Sequence, residues 1–246
     1  MSIILMLGSG PNVVAARDWP RGVIDRIVAI NNAWLVRPDW DDLVHPEDFP
    51  QARRPQTLSA GQRIITALDY VPAQNALGGF VYAGGTMAFT ASYWALQVLR
   101  PKVIAYLGCD MVYSGQGPTH FYGTGTADPL RPDVTLRSLE AKSARLLALA
   151  ARQGCALVNL SQDASRLVFG RATLDGLAGV KPDAVSVQSR ETALTAEAAL
   201  NYVVPSGRYW LEEARFDPAA IDRLDALWLD TLPAALRSGL PSGKAA

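Results

Sequence analysis

Apolar residues fall in short unbroken runs, separated by stretches rich in Gly, Pro and Asn. Ile3-Ile4-Leu5-Met6-Leu7 is continuous rather than alternating, which predicts a strand buried on both faces. It runs into Gly8-Ser9-Gly10-Pro11-Asn12, a tight turn with a rigid residue behind it, and residues 13–19 read as a short helix. Further strands are predicted at 27–30, 42–44, 64–71, 103–108 and 156–160. Residues 50–63 are polar and Pro-rich and read as loop. Thr86 is a suitable N-cap for a helix in which Met87, Ala91, Trp94, Ala95 and Val98 recur at helical spacing, and Pro101 stops it. A second helix spans 136–152 and ends at Gly154. Helices at 193–202 and 218–236 follow, the last with an apolar stripe of Leu224, Leu227, Trp228 and Leu232.

Strands alternating with helices predict an α/β fold of Rossmann-like type: a mostly parallel sheet with helices on both faces, plus a helical C-terminal extension. Residues 1–178 are expected to form the nucleotide-binding domain, and 179–246 a mainly helical extension packed on it. The stripe at 224–232 fits packing within the chain or a homo-oligomer contact. The last seven residues are expected to fray.

Composition narrows the function. The 246 residues carry 23 basic and 23 acidic side chains, so no basic footprint for nucleic acid exists. Cys109 and Cys155 lie far apart and outside any metal-ligand cluster, which fits a reducing cytoplasmic setting. No apolar run is long enough to span a bilayer, and 3–7 lacks the length and basic flank of a leader.

Candidate chemistry lies at strand ends, because ligands of open α/β sheets bind beyond the carboxyl ends of the strands. Ser9, Asn12, Asn31, Asn32, His45, Asp110 and Ser161 hold such positions. The glycine turn lacks the third glycine of the dinucleotide fingerprint, where Val13 stands, and no Lys-Ser/Thr follows it. NAD and P-loop chemistry are thereby disfavoured, and a plain turn remains an alternative. Gly84-Gly85-Thr86 opens a helix directly, as either a ligand-binding turn or an ordinary cap. His120, one of two histidines, sits in a long polar loop at 109–133 between Tyr113 and Tyr122, where an imidazole suits proton acceptance from a hydroxyl. A surface histidine is the plainer reading. The two histidines without clustered cysteines or carboxylates predict no metal site. No Gly-x-Ser-x-Gly elbow occurs, and Cys109 reads as a buried strand-end thiol rather than a nucleophile.

The ordered set Gly8-Ser9-Gly10-Pro11-Asn12, Ile30-Asn31-Asn32-Ala33-Trp34, Gly84-Gly85-Thr86, Gly108-Cys109-Asp110-Met111-Val112-Tyr113 and Thr119-His120-Phe121-Tyr122-Gly123 resembles the bacterial sialyltransferases of glycosyltransferase family 42. It is also similar to related bacterial and phage proteins, including a motility-accessory and pterin-pyrophosphokinase-like group. The resemblance covers about residues 1–175. It implies that Gly8, Ser9, Gly10, Pro11 and Asn12 hold a nucleotide sugar, with CMP-linked donors favoured. Asn31 or Asn32 would contact the donor nucleotide or phosphate. Gly85 and Thr86 would lie beside the nucleotide, and Asp110 below the donor. Tyr113 or Tyr122 would stabilise the departing phosphate, and His120 would deprotonate a glycan or small hydroxyl acceptor. No cofactor or metal is required on this reading. The alternatives are a nucleotide- or sugar-binding protein without catalysis, and a magnesium-dependent pyrophosphokinase, for which Asp110, Glu47 or Asp48 are the candidate carboxylates.

Overall fold

The computed structural model describes residues 2–113, 117–124 and 131–239. Seven parallel strands form one sheet: β1 (Ile3–Leu7), β2 (Arg26–Ile30), β3 (Asp42–Val44), β4 (Arg63–Ile65), β5 (Val103–Leu107), β6 (Ala156–Asn159) and β7 (Gly170–Arg171). Their spatial order is β4-β3-β2-β1-β5-β6-β7. The chain first steps outward from β1 to β4, then returns to the other side of β1 as β5. β1 and β5 therefore part company at their carboxyl ends, the switch point where such sheets leave a crevice. The Rossmann-like α/β expectation is met.

The two faces are covered differently. One carries all the long α-helices: α1 (Ala67–Asn75), α3 (Met87–Trp94, prolonged by a π turn), α4 (Leu139–Arg152), α5 (Val187–Leu200) and α6 (Pro218–Leu229), with the single-turn α2 (Phe80–Ala83). The other face, built on Leu5, Leu7, Ile27, Ala29 and Leu43, is covered by 3-10 segments at Pro11–Asp18, Asn31–Leu35 and Leu174–Gly179. Helices on both faces were expected, and the difference in kind has a local cause. The β2–β3 connection has only 11 residues and contains Pro38, too little for an α-helix with its two turns.

Several boundaries differ from those predicted: the helix expected over 193–202 runs from Val187 to Leu200, and that expected over 13–19 is the 3-10 segment Pro11–Asp18. The strand expected over 64–71 stops at Ile65, because Thr66 and Asp69 form a capping box that starts α1. Pro72 in the second turn of α1 masks that helix in the sequence. The helix expected from 136 begins at Leu139, where the Ser138 hydroxyl accepts from the Ala141 N–H at 3.2 Å. The long C-terminal helix divides: α6 ends at Leu229, and α7 (Ala234–Arg237) follows Pro233. Residues 240–246, expected to fray, lie outside the described residues.

The C-terminal helices belong to the same core as the helical face. Leu224, Trp228 and Leu232 are buried against it and Leu227 is partly buried, so the stripe packs within the chain, the first of the two uses expected for it. Two buried ion pairs fasten these helices to α4. Arg145 binds Glu197 at 2.5 and 2.8 Å and donates also to the Tyr93 hydroxyl and the Leu77 carbonyl, and Lys142 binds Asp225 at 2.7 Å. No helix among the described residues is long and apolar enough to cross a membrane.

Candidate functional site

A cleft of about 300 Å³ opens at the carboxyl ends of β1, β2 and β5. Of the residues singled out in the sequence, Gly8, Ser9, Gly10, Asn31, Asn32, Thr86, Tyr113, His120 and Tyr122 line it. Pro11, Asn12, Gly85 and Asp110 do not.

The glycine turn has a structural explanation. Gly8 N–H donates to the Leu107 carbonyl and Gly10 N–H to that of Gly108, both at 2.8 Å. A Cβ on Gly8 would run into the Gly108 carbonyl, and one on Gly10 would lie 2.9 Å from it. These glycines let the ends of β1 and β5 touch, and two of the N–H groups expected to cradle a phosphate are spent there. Pro11 opens the 3-10 segment behind the turn. Asn12 Nδ2 lies 2.8 Å from Asp110 Oδ2 and 2.9 Å from both Ser161 Oγ and Asp163 Oδ2. Asp110 also accepts from Asn159 Nδ2 at 2.8 Å. Asn12 and Asp110, expected to face the donor, instead tie together the ends of β1, β5 and β6 beneath it.

Asn31 and Asn32 behave differently. Asn31 has φ +52°, a left-handed conformation that asparagine tolerates better than other side-chain-bearing residues. That bend turns the chain at the end of β2 and brings both residues to the cleft. Asn32 is 5% exposed, lines the cleft, and its amide makes no hydrogen bond among the described residues. The Asn31 Oδ1 is buried and unpartnered. A buried carbonyl oxygen without a partner costs roughly 1–3 kcal/mol, so a ligand that donates to the Asn31 Oδ1 recovers a sizeable binding term.

The N-terminus of α3 forms another wall. Thr86 Oγ1 accepts from Phe89 N–H at 3.2 Å, which leaves the N–H groups of Met87 and Ala88 without an intrahelical acceptor. Gly85 lies behind this wall: its N–H donates to Thr135 Oγ1, and its carbonyl accepts from Arg131, both at 2.9 Å.

The arm carrying His120 is fastened to the glycine turn. Phe121 N–H donates to the Ser9 carbonyl at 3.0 Å, and His120 and Gly123 exchange backbone hydrogen bonds at 3.0 and 3.1 Å. The His120 ring stacks on Tyr122 at 4.9 Å and lies 6.2 Å from the Tyr113 ring, with Nδ1 2.8 Å from Thr119 Oγ1. Parts of the 109–133 loop, at 114–116 and 125–130, lie outside the described residues.

Phe49, Pro50 and Arg53 escaped the sequence reading, whereas Asp48 entered it only as a candidate carboxylate of the magnesium-dependent alternative. Asp48, Phe49, Pro50 and Arg53 come from the connection after β3, and Asp48 is the only carboxylate among the described lining residues. Arg53 is exposed, and its guanidinium makes no ion pair or hydrogen bond among the described residues. Their one sequence signal was position beyond a strand's carboxyl end. His45 lies just outside the cleft. It is buried, 2.8 Å from the Pro46 carbonyl through Nδ1 and stacked on Phe49, and burial holds its pKa below the usual histidine value. Cys109 lies on the floor, where burial pushes its thiol pKa well up and argues against a thiolate at neutral pH. Among the described residues no group of three or more His, Cys, Asp or Glu side chains is arranged to hold a metal ion.

The cleft thus combines polar groups awaiting partners, one cationic rim residue and an imidazole between two tyrosines. Comparison with family models, with curated proteins and with solved structures gives no match.

Proposed function

We propose that the protein binds a nucleotide-activated sugar in this cleft and transfers the sugar to an acceptor hydroxyl, as its resemblance to the sialyltransferases implies. The observation that carries this reading is convergence: residues from three strand ends, the α3 N-terminus and the His120 arm meet around one cleft. The direct hydrogen bond from Phe121 to Ser9 keeps the imidazole arm at the glycine turn.

In the proposed reaction the acceptor oxygen attacks the anomeric carbon. The bond from that carbon to the phosphate oxygen breaks, and its electron pair leaves with the nucleotide. The acceptor proton passes to His120, whose Nε2 is the accepting nitrogen when Nδ1 donates to Thr119. Asn32, Thr86, the first N–H groups of α3 and Arg53 are the donors to the departing phosphate, and Tyr113 or Tyr122 adds a hydroxyl. Side chains and backbone can carry that charge without a metal.

The test is a thermal-shift series with CMP, UDP, GDP and ADP, with and without magnesium. Stabilisation by CMP independent of magnesium is expected, together with release of CMP from a CMP-linked sugar that is lost in His120→Ala while CMP still binds. Stabilisation only by ATP with magnesium would transfer the site to pyrophosphokinase chemistry, with Asp48 the lining carboxylate. CMP binding with no turnover in the wild-type protein would leave a binding protein. No stabilisation by any nucleotide would overturn the proposal.

A further inference from the structure

The turn that precedes α3 is clamped from outside the cleft. Gly85 N–H donates to Thr135 Oγ1, and Gly85 O accepts from Arg131 Nη2. Thr135 Oγ1 donates to Asp133 Oδ1 at 2.7 Å, and Tyr209 OH donates to Asp133 Oδ2 at 2.7 Å. Arg131 closes the ring, 2.9 Å from Asp133 Oδ2 and donating to Tyr209 OH at 3.1 Å. The Tyr209 ring is 4% exposed and stacks on Phe80, and its hydroxyl sits where a Cβ on Gly85 would be.

Both backbone polar groups of the residue before the Thr86 cap are therefore held by side chains 46 and 50 residues away, which Tyr209 supports from farther still. The direction of Thr86 Oγ1 and of the Met87 and Ala88 N–H groups depends on that peptide. Thr135 and Arg131 lie on the chain that returns from the His120 arm to α4, so one cluster sets the α3 wall and anchors that return.

We propose that Tyr209 is a positioning residue for the cleft. Its hydroxyl, acting through Asp133, Thr135 and Arg131, orients the Gly85 peptide and so the α3 N-terminus toward the ligand. This assigns the C-terminal part of the chain a role in ligand binding as well as in packing. The inference rests on the nucleotide-sugar reading for its ligand, but its hydrogen-bonding content stands by itself.

The experiment uses the full chain with CMP as the probe. Tyr209→Phe keeps the ring and its stacking, Thr135→Val removes the acceptor for Gly85 N–H, and Thr135→Ser retains it. Expected are melting temperatures within about 3 °C of wild type and CMP binding weakened about tenfold in Tyr209→Phe and Thr135→Val. Amide hydrogen exchange over residues 85–89 should be faster in these two, and Thr135→Ser should match wild type throughout. Unchanged CMP affinity and unchanged exchange at 85–89 would overturn the proposal. So would a general rise in exchange across the sheet with a collapse in melting temperature, which marks a merely structural group. If wild-type protein binds no nucleotide, the function reading fails. The exchange measurement on the free protein then decides the clamp alone, faster local exchange upholding it and unchanged exchange overturning it.

Discussion

Asn32 is the residue at which stability and ligand recognition pull apart. Its side chain is 5% exposed and lines the cleft, and its amide makes no hydrogen bond among the described residues. Asn32→Ala therefore removes a polar group that the described fold does not use for its own hydrogen bonding. A melting temperature equal to or above wild type is expected, with nucleotide binding weakened at least about tenfold. A clear drop in melting temperature in a scanning-calorimetry comparison would show that the amide serves the fold instead. Gly8 presents the reverse case. Gly8→Ala sets a methyl group against the Gly108 carbonyl, where two backbones meet and neither can give way. A loss of about 3 kcal/mol or more in denaturant unfolding is expected. The glycines of this turn attract notice as a phosphate loop, yet a steric reason of their own accounts for them.

At the scale of elements, α4 carries the greatest burden. It packs on the sheet and receives α6, and its Arg145 is fully buried against Glu197 of α5. Trp228 of α6 donates to the same carboxylate at 2.9 Å. Glu197→Gln leaves the guanidinium buried without its counter-charge, and a destabilisation of about 3–5 kcal/mol is expected. Arg145→Met combined with Glu197→Leu should recover most of it, as read from urea unfolding of the single and double variants. The α4 N-cap is a milder lever: Ser138→Ala should cost about 1 kcal/mol. The α3 helix differs from these in that its beginning faces the cleft while its cap is held by distant side chains, which makes its first turn a place where local unfolding would be felt as lost affinity.

For the whole molecule, pH reports on the clamp at Gly85. Burial would raise the Asp133 pKa, but hydrogen bonds from Thr135 and Tyr209 and the charge of Arg131 outweigh it and hold the carboxyl below the usual range. Burial likewise pushes the Tyr209 phenol up to about 12, so the phenol stays protonated and donating at neutral pH. A depressed carboxyl contributes stability that is fully present above its unfolded value of about 4 and is lost as pH falls through the folded value. Unfolding free energy measured from pH 6 down to pH 2 should fall along an acid limb that is shallower in Asp133→Asn.

Much of the architecture was legible without coordinates. Continuous runs such as Ile3–Leu7 and Val103–Leu107 can be buried on both faces only in a parallel sheet with covered faces, so periodicity and turn chemistry determined the strands and the α/β class. The same local signals marked Thr86 as a cap and His120 as a polar-loop imidazole. Three-dimensional packing decided which polar groups would satisfy one another. Asn12 and Asp110, 98 residues apart, pair with each other, whereas Asn32 in the cleft finds no partner among the described residues. It also brought Arg53 to the rim and set Tyr209 against Gly85. The reason is physical: backbone preference and hydrophobic period act over a few residues. The partner of a buried hydrogen-bonding group is chosen among all the groups the fold brings near, and no local pattern encodes that choice.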